Sequence, residues 1–431
     1  MTDTEQASLA GGLGARIAAL HLVELALDHR GGLEEAMSHP PFGRLEPRDR
    51  GLARMLAMTL LRRLGPIDRA LEAKLQKTPP PAVMMLLRLG VAQLLYMDVP
   101  AFAAINTTVQ LTAQGKSTRN FKNLVNAVLR GISREPPPAF EPEANAPGWL
   151  YARWSASFGE TAAKSIAEMI PLEPATDLSL RDPADTGALA EALQAEQLEG
   201  GGLRVAHGGD ITAWPGYVEG QWWVQDAAAA IPARLLAVGA GETAIDLCAA
   251  PGGKTLQLAA AAAEVTALDR SASRLRRVSQ SLERTDLKAE IVCAESESWP
   301  DERPFDAVLL DAPCSATGTF RRHPDVLWGT KPGDIAKLSA VQSRMLDAAA
   351  GRVKPGGRMV YCVCSLEREE GEDQIAAFLK RHPDFVLAPV AAGEGGAPAA
   401  SITAEGTVRI LPQHMAGGLD GFFAARLVRS A

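Results

Sequence analysis

Apolar residues recur at three- and four-residue intervals in ARIAALHLVELAL, RGLARMLAMTLLRRLG, AVMMLLRLGVAQLLYM and FKNLVNAVLRGI, so residues 8–134 read as helix almost throughout. Breaks at Gly31-Gly32, Pro40-Pro41, Pro79-Pro80-Pro81 and Pro100 stop or restart those helices. No alternating strand pattern interrupts them, and the spacing predicts an all-α bundle over residues 1–134. Residues 135–147, EPPPAFEPEANAP, carry five prolines in thirteen positions, the composition of a semi-rigid linker. A mixed segment, 148–220, follows: WLYARWSASFGETAAKSIAEMI and GALAEALQAEQL look helical, and TDLSLR looks like a strand. From 221 to 431 the period changes. Short β-rich runs (TAIDLCA, EVTALD, AEIVCA, FDAVLLDAP, RMVYCVCS) alternate with helical ones, which predicts an α/β domain with a mostly parallel sheet covered on both faces.

Composition narrows the class. At 431 residues, 47% hydrophobic and 22% charged, the chain is an ordinary globular protein of two or three domains. Its longest apolar stretch is interrupted by Arg88, Gln93 and Asp98, so no membrane span is expected, and its N-terminus lacks the pattern of a signal peptide. Five cysteines without paired spacing point to a reducing compartment, the cytoplasm. The net charge of -7 argues against a protein that coats nucleic acid, but it is unevenly spread. Residues 1–135 hold 17 Lys/Arg against 12 Asp/Glu, a balance of +5, which leaves -12 for the rest. No acidic residue lies between Asp98 and Glu135, where Lys116, Arg119, Lys122, Arg130 and Arg134 fall. Such a stretch can bind phosphates or be a solvated helical face.

In a parallel sheet, ligands sit beyond the C-terminal strand ends. The first strand of the α/β region ends in DLCAAPGGKT, where small residues allow close approach to the backbone. It is not a P-loop, because Cys248 stands where that motif needs its first glycine, and it is not GxGxxG. The second strand ends in Asp269, placed either to accept hydrogen bonds from a ribose or to cap the next helix. The fourth ends in DAPCSATG, followed by Arg321-Arg322-His323-Pro324-Asp325, and the fifth in Cys364-Ser365. A cysteine is most often a small buried hydrophobe. Two at different strand ends of one sheet, one just after Asp311, could meet at one site and instead suggest nucleophilic catalysis with an acid beside it. No CxxC occurs, and Cys362-Val-Cys364 is expected to send its thiols to opposite faces of the strand, so no metal site is expected.

DLCAAPGGKT, DAPCSATGTFRRHPDVLW and VYCVCSLEREEGEDQI resemble three signature motifs of the NOL1/NOP2/Sun family of RNA cytosine-C5 methyltransferases, and PQHMAGGLDGFFAARL resembles that family's closing hairpin. The helical N-terminus, with NAVLR near its end, is similar to a NusB-like domain, which within the family resembles the RsmB (Sun) branch that modifies small-subunit ribosomal RNA. The resemblance implies a multidomain chain: a NusB-like RNA-binding bundle (1–134), the Pro-rich linker (135–147), a small α+β RNA-binding segment (148–220) and a Rossmann-like methyltransferase domain (221–431).

It also implies roles. Cys364 would be the nucleophile that adds to C6 of a cytosine, Asp311 would face the N3 edge of the base, and Cys314 would help release the product. S-adenosyl-L-methionine would lie across Cys248, Ala249, Ala250, Pro251, Gly252, Gly253 and Lys254, with Asp269 on its ribose and Asp311 and Glu295 also at its site. RNA would be held by Lys116, Arg119, Lys122, Arg321 and Arg322. Two positions depart from the family pattern: Val363 replaces a threonine, and Ala294-Glu295-Ser296 stands where an aspartate is usual, with Glu295 as its substitute. Action on transfer RNA, or a non-catalytic RNA-binding assembly role, are the alternatives.

Overall fold

The computed structural model describes residues 3–28 and 32–431. Gly31, half of the Gly31-Gly32 break, lies outside them. The chain divides into two compact units: residues 1–172 with 320–330, and residues 173–319 with 331–431.

The first unit is helical, with helices Asp3–Leu27, Gly32–Ser38, Pro47–Arg62, Leu64–Glu72, Pro81–Tyr96, Ala101–Gln114 and Lys122–Ser133, then Gly148–Phe158 and Glu160–Met169. The expected breaks recur physically: two helices begin on or just after Pro80-Pro81 and Pro100. The amphipathic rule is plain in Lys122–Ser133, which buries Val125, Val128, Leu129 and Ile132 at helical spacing. These pack with Leu22, Leu56, Leu60, Ile67 and Leu87 in one apolar core, each such side chain contributing about 1.5–3 kcal/mol by burial. The prolines of 135–147 do not end this unit, which runs on to 172.

A strap from the second half of the chain also belongs to it. Within the strap Phe320–Thr330, Trp328 packs against the helical core and its Nε1 donates to the Leu61 carbonyl at 3.0 Å. Asp325 Oδ2 accepts the Leu33 N–H at 3.2 Å, and Arg62 donates to the Arg321 carbonyl at 3.0 Å. Phe320 lies against Trp154, ring centroids 6.2 Å apart.

The second unit carries two sheets. The smaller is antiparallel, in the order β2-β3-β1-β4, from β1 (Thr176–Leu180), β2 (Glu196–Leu198), β3 (Gly202–Val205) and β4 (Trp222–Val224). The larger contains β5 (Thr243–Leu247), β6 (Glu264–Asp269), β7 (Glu290–Cys293), β8 (Phe305–Asp311), β9 (Val353–Val363), β10 (Phe385–Leu387), β11 (Val408–Ile410) and β12 (Phe422–Arg429). Its order is β10-β12-β9-β8-β5-β6-β7, with β11 also on β12. β5 to β9 are parallel, whereas β12 runs antiparallel to β9, β10 and β11.

Alternation explains why the parallel strands read as continuous apolar runs. Val308 and Leu310 enter a core with Leu346 and Phe378, while Ala307 and Leu309 enter the opposite one with Ile231 and Leu235. Both faces are therefore covered. From β5 the order proceeds to β6 on one side and β8 on the other, so the topological switch point lies at the C-terminal ends of β5 and β8. No helix among the described residues is long and apolar enough to cross a membrane.

Candidate active site

The turn Cys248–Lys254 leaves β5 and runs into helix Gly253–Ala260. Its backbone is tightly specified. Gly252 has φ +111°, and a Cβ there would stand 3.2 Å from Val278. Asp269, at the end of β6 and only 2% exposed, holds the turn: Oδ2 accepts Ala250 N–H at 3.2 Å and Oδ1 accepts Ser271 N–H at 2.8 Å. The cap of the next helix is Ser271, whose hydroxyl accepts the Arg274 N–H. Asp269 thus serves the turn rather than the helix cap. Glu295 is exposed just after β7.

Acidic groups surround this turn. The Cys248 thiol is pushed up by burial and by Asp311, Asp269 and Asp246. Asp246, 1% exposed at the end of β5, accepts the Thr255 hydroxyl at 2.6 Å, while its Oδ1 has no hydrogen-bond partner among the described residues. Burial pushes its carboxyl up to about 7. Lys254 Nζ donates to Asp311 Oδ2 at 2.7 Å and lies 5.1 Å from the centre of the Phe422 ring. Burial opposes the charge on Lys254, but Asp311 and its neighbours outweigh that cost and raise its pKa above the usual lysine value. Asp246, Asp269 and Asp311 thus set three acidic side chains against one buried ammonium around this turn, an environment that favours a cation.

At the next two strand tips, Cys314 Sγ and Cys364 Sγ are 3.4 Å apart. Neither cysteine lies within a strand: Cys314 follows β8 and Cys364 follows β9. The hydrogen bond with Cys364 and burial push the Cys314 thiol well up, and either sulfur can be the donor of the pair. Gly318 N–H donates to the Cys364 carbonyl at 3.1 Å, and Gly421 N–H donates to the Gly318 carbonyl at 2.8 Å. A Cβ on Gly318 would fall 2.0 Å from the Gly421 oxygen, so this close approach of the two loops and the segment before β12 requires glycine.

The expectation that Cys362 and Cys364 point to opposite strand faces is corrected. Residues two apart on a strand share a face; what separates these thiols is the end of β9 at Val363. Cys362 Sγ lies 3.5 Å from Asp311 Oδ1, and burial pushes its thiol up.

A buried carboxylate that sequence reading missed fastens both loops. Glu370 accepts the Ser315 N–H, the Ser315 hydroxyl and, at 3.1 Å, Gln342 Nε2, while Gln342 also donates to the Pro313 carbonyl. Ser315 Oγ is 3.1 Å from Ser365 Oγ, which in turn neighbours Thr317. The only local signal is the acidic run LEREEGED, in which nothing distinguishes the buried Glu367 and Glu370 from their less buried acidic neighbours.

The basic residues separate into two kinds. Lys116, Arg119 and Lys122 are exposed around the turn before helix Lys122–Ser133. Arg321 is not. It is 1% exposed inside the helical unit, so the expectation that it contacts phosphate is corrected; Arg322 is half-buried.

Residues 233–428 match the family model described as 16S rRNA methyltransferase RsmB/F, and residues 14–134 match that of the NusB family. The chain is 35% identical over 443 aligned residues to "Ribosomal RNA small subunit methyltransferase B" of Xanthomonas campestris pv. campestris, covering 98% of each chain. The crystal structure of PH0851 superposes with a TM-score of 0.78 at 26% identity, over 97% of this chain and 98% of that one. A methyltransferase homologue from Pyrococcus horikoshii superposes with a TM-score of 0.56 at 26% identity, over 66% and 95%. S-adenosylmethionine, the cofactor of this family, carries a cationic sulfur, which the acidic turn Cys248–Lys254 fits. An all-α NusB domain, a Rossmann-like methyltransferase domain and near full-length identity agree, and the chain belongs to the 16S rRNA methyltransferase RsmB/F family.

Proposed function

We propose that this methyltransferase acts on C5 of a cytosine in small-subunit ribosomal RNA, through a transient bond between Cys364 Sγ and C6 of the base. The single observation that carries this reading is the pair of thiols 3.4 Å apart at adjacent strand tips, beside Asp311. The substrate class rests on the relatives, which are named for small-subunit ribosomal RNA.

C5 of cytosine is a weak nucleophile. Addition of the Cys364 thiolate at C6 makes the ring enamine-like, with C5 as its nucleophilic carbon. Asp311, steadied by Lys254, would face N3 and favour its protonation as the sulfur adds. S-adenosylmethionine supplies an electrophilic methyl group for C5; Cys248–Lys254, Asp269, Asp311 and Glu295 are the residues that would hold it. Loss of the C5 proton then lets the C6–S bond break. Cys314, its thiol pushed well up by burial and the neighbouring sulfur, would donate a proton to the departing Cys364 sulfur and ease that release. Lys116, Arg119, Lys122 and Arg322 would bind the RNA backbone.

Transfer of a labelled methyl group to small-subunit ribosomal RNA, followed by mapping of the labelled nucleoside, tests the reading. Label in 5-methylcytosine is expected. Label confined to another base, or to transfer RNA alone, would overturn it.

A further inference from the structure

The two thiols also carry chemistry that methyl transfer does not use. We propose that Cys314 and Cys364 form a reversible oxidation site, which a hydroperoxide converts to a disulfide. A disulfide needs its sulfurs about 2.05 Å apart, and these start at 3.4 Å. Closing that gap asks little of the fold, because both residues lie in loops just beyond strand ends. The next residue of each loop, Ser315 and Ser365, pairs through its hydroxyl on the buried side at 3.1 Å. The two Cys-Ser steps therefore run side by side, serines inward and half-buried cysteines outward.

The remaining cysteines lack this arrangement. Cys362 is buried against Asp311, and Cys248 sits among three carboxylates that disfavour its thiolate. Cys293 is exposed, with the Arg270 carbonyl as its neighbour at 3.7 Å. No other pair of sulfurs is in contact among the described residues.

Cys364, the thiol that the proposed methyl transfer uses as its nucleophile, reacts first. Its thiolate attacks one peroxide oxygen: an S–O bond forms, the O–O bond breaks, and hydroxide leaves and takes up a proton as water. The sulfur is oxidised to sulfenic acid and the peroxide is reduced. The Cys314 sulfur then attacks the Cys364 sulfur. An S–S bond forms, the S–O bond breaks, and a second water leaves with the Cys314 proton. Two equivalents of a small thiol reverse the change by exchange: the first forms a mixed disulfide and frees one cysteine, the second frees the other, and the small thiol leaves oxidised as its own disulfide. While the bond stands neither thiol is available, so methyl transfer stops; this consequence rests on the function proposed above.

The test uses the full chain without RNA or S-adenosylmethionine, treated with hydrogen peroxide near stoichiometry and quenched with an alkylating agent. Against the untreated chain alkylated in the same way, the oxidised chain should carry two fewer alkyl groups, peptide mapping should join Cys314 to Cys364, and dithiothreitol added before alkylation should restore both groups. In Cys314→Ser, oxygen should instead accumulate on Cys364. Linkage of any other cysteine pair, or oxygenated Cys364 with no linkage in the unaltered protein, would overturn the proposal. In parallel, methyl transfer should fall with the linked fraction and return on reduction. Linkage without any cytosine methylation would sink the function and leave the oxidation site standing. Methylation without linkage would do the reverse.

Discussion

Ser315 and Glu370 are joined twice: the Ser315 N–H donates to Oε1 at 2.9 Å, and the Ser315 hydroxyl donates to Oε2. Through that double hydrogen bond a buried carboxylate downstream of Cys364 in the chain fixes the peptide between Cys314 and Ser315. Glu370→Gln keeps the shape but sets an NH₂ group against donors. The expected loss is on the order of 1.5–3 kcal/mol, the worth of hydrogen bonds to a charged group. Urea denaturation should register it, and turnover should fall because the thiols lose their register. Unchanged stability and turnover together would remove Glu370 from the site.

The two cysteines should separate by trapping. Cys364→Ala should abolish methyl transfer, because no other thiol reaches the position from which C6 is attacked. Cys314→Ala should accumulate a protein–RNA adduct resistant to denaturant, because attachment proceeds while release fails. A denaturing gel decides the matter. An adduct in Cys364→Ala alone would reverse the assignment.

Asp246 should give the protein a pH signature of unusual sign. Its carboxyl is raised to about 7 by burial, against an unfolded value of about 3.9. Between those values the folded state binds the extra proton, so this group's contribution is full below about pH 4 and is lost as pH rises through 7. Asp246→Asn, which can still accept from Thr255, should flatten the decline in stability between pH 5 and 8. Denaturation at both pH values measures the difference. Equal slopes in the two proteins would mean that Asp246 is ionised throughout.

Arg321 should behave as a structural residue. It is buried in the helical unit, and its carbonyl accepts from Arg62. Arg321→Ala should lower the thermal midpoint, with a cost on the order of 1–3 kcal/mol, and leave the RNA affinity of the folded enzyme unaltered. Weakened RNA binding at full stability would restore its place among the residues that hold phosphate.

What could be read from the sequence was what lies on contiguous stretches. DLCAAPGGKT, DAPCSATG and VYCVCS each carry a strand and the chemistry at its tip, so period and motif locate both at once. Their meeting is set by strand order, which the alternation of strand and helix constrains. Glu370 and Gln342 were not legible, because their burial depends on a loop whose Ser315 is 55 positions from Glu370 and whose Pro313 is 29 from Gln342. The strap Phe320–Thr330 left a fainter trace. Phe320, Leu327 and Trp328 are large apolar residues in a segment too short and irregular to bury them itself, and the covering they required came from helices far earlier in the chain, 267 positions earlier for the Leu61 carbonyl that Trp328 reaches.

The exposed cations of the helical unit yield the last prediction. The rest of the chain carries -12 and cannot draw RNA by net charge, so attraction must come from local basic surface. Lys116, Arg119 and Lys122 are exposed in an acid-free stretch and close enough in sequence to follow one phosphate backbone. Changing all three to Ala should raise the apparent KM for RNA and flatten its salt dependence, by roughly one unit of slope for each phosphate that is no longer neutralised. Turnover at saturating RNA should survive, because none of the three belongs to the catalytic unit. A solvated face would give no change in either quantity. Initial rates across RNA and salt concentrations distinguish the two, and an unmoved KM with an unmoved salt slope would strike these residues from the RNA-binding surface.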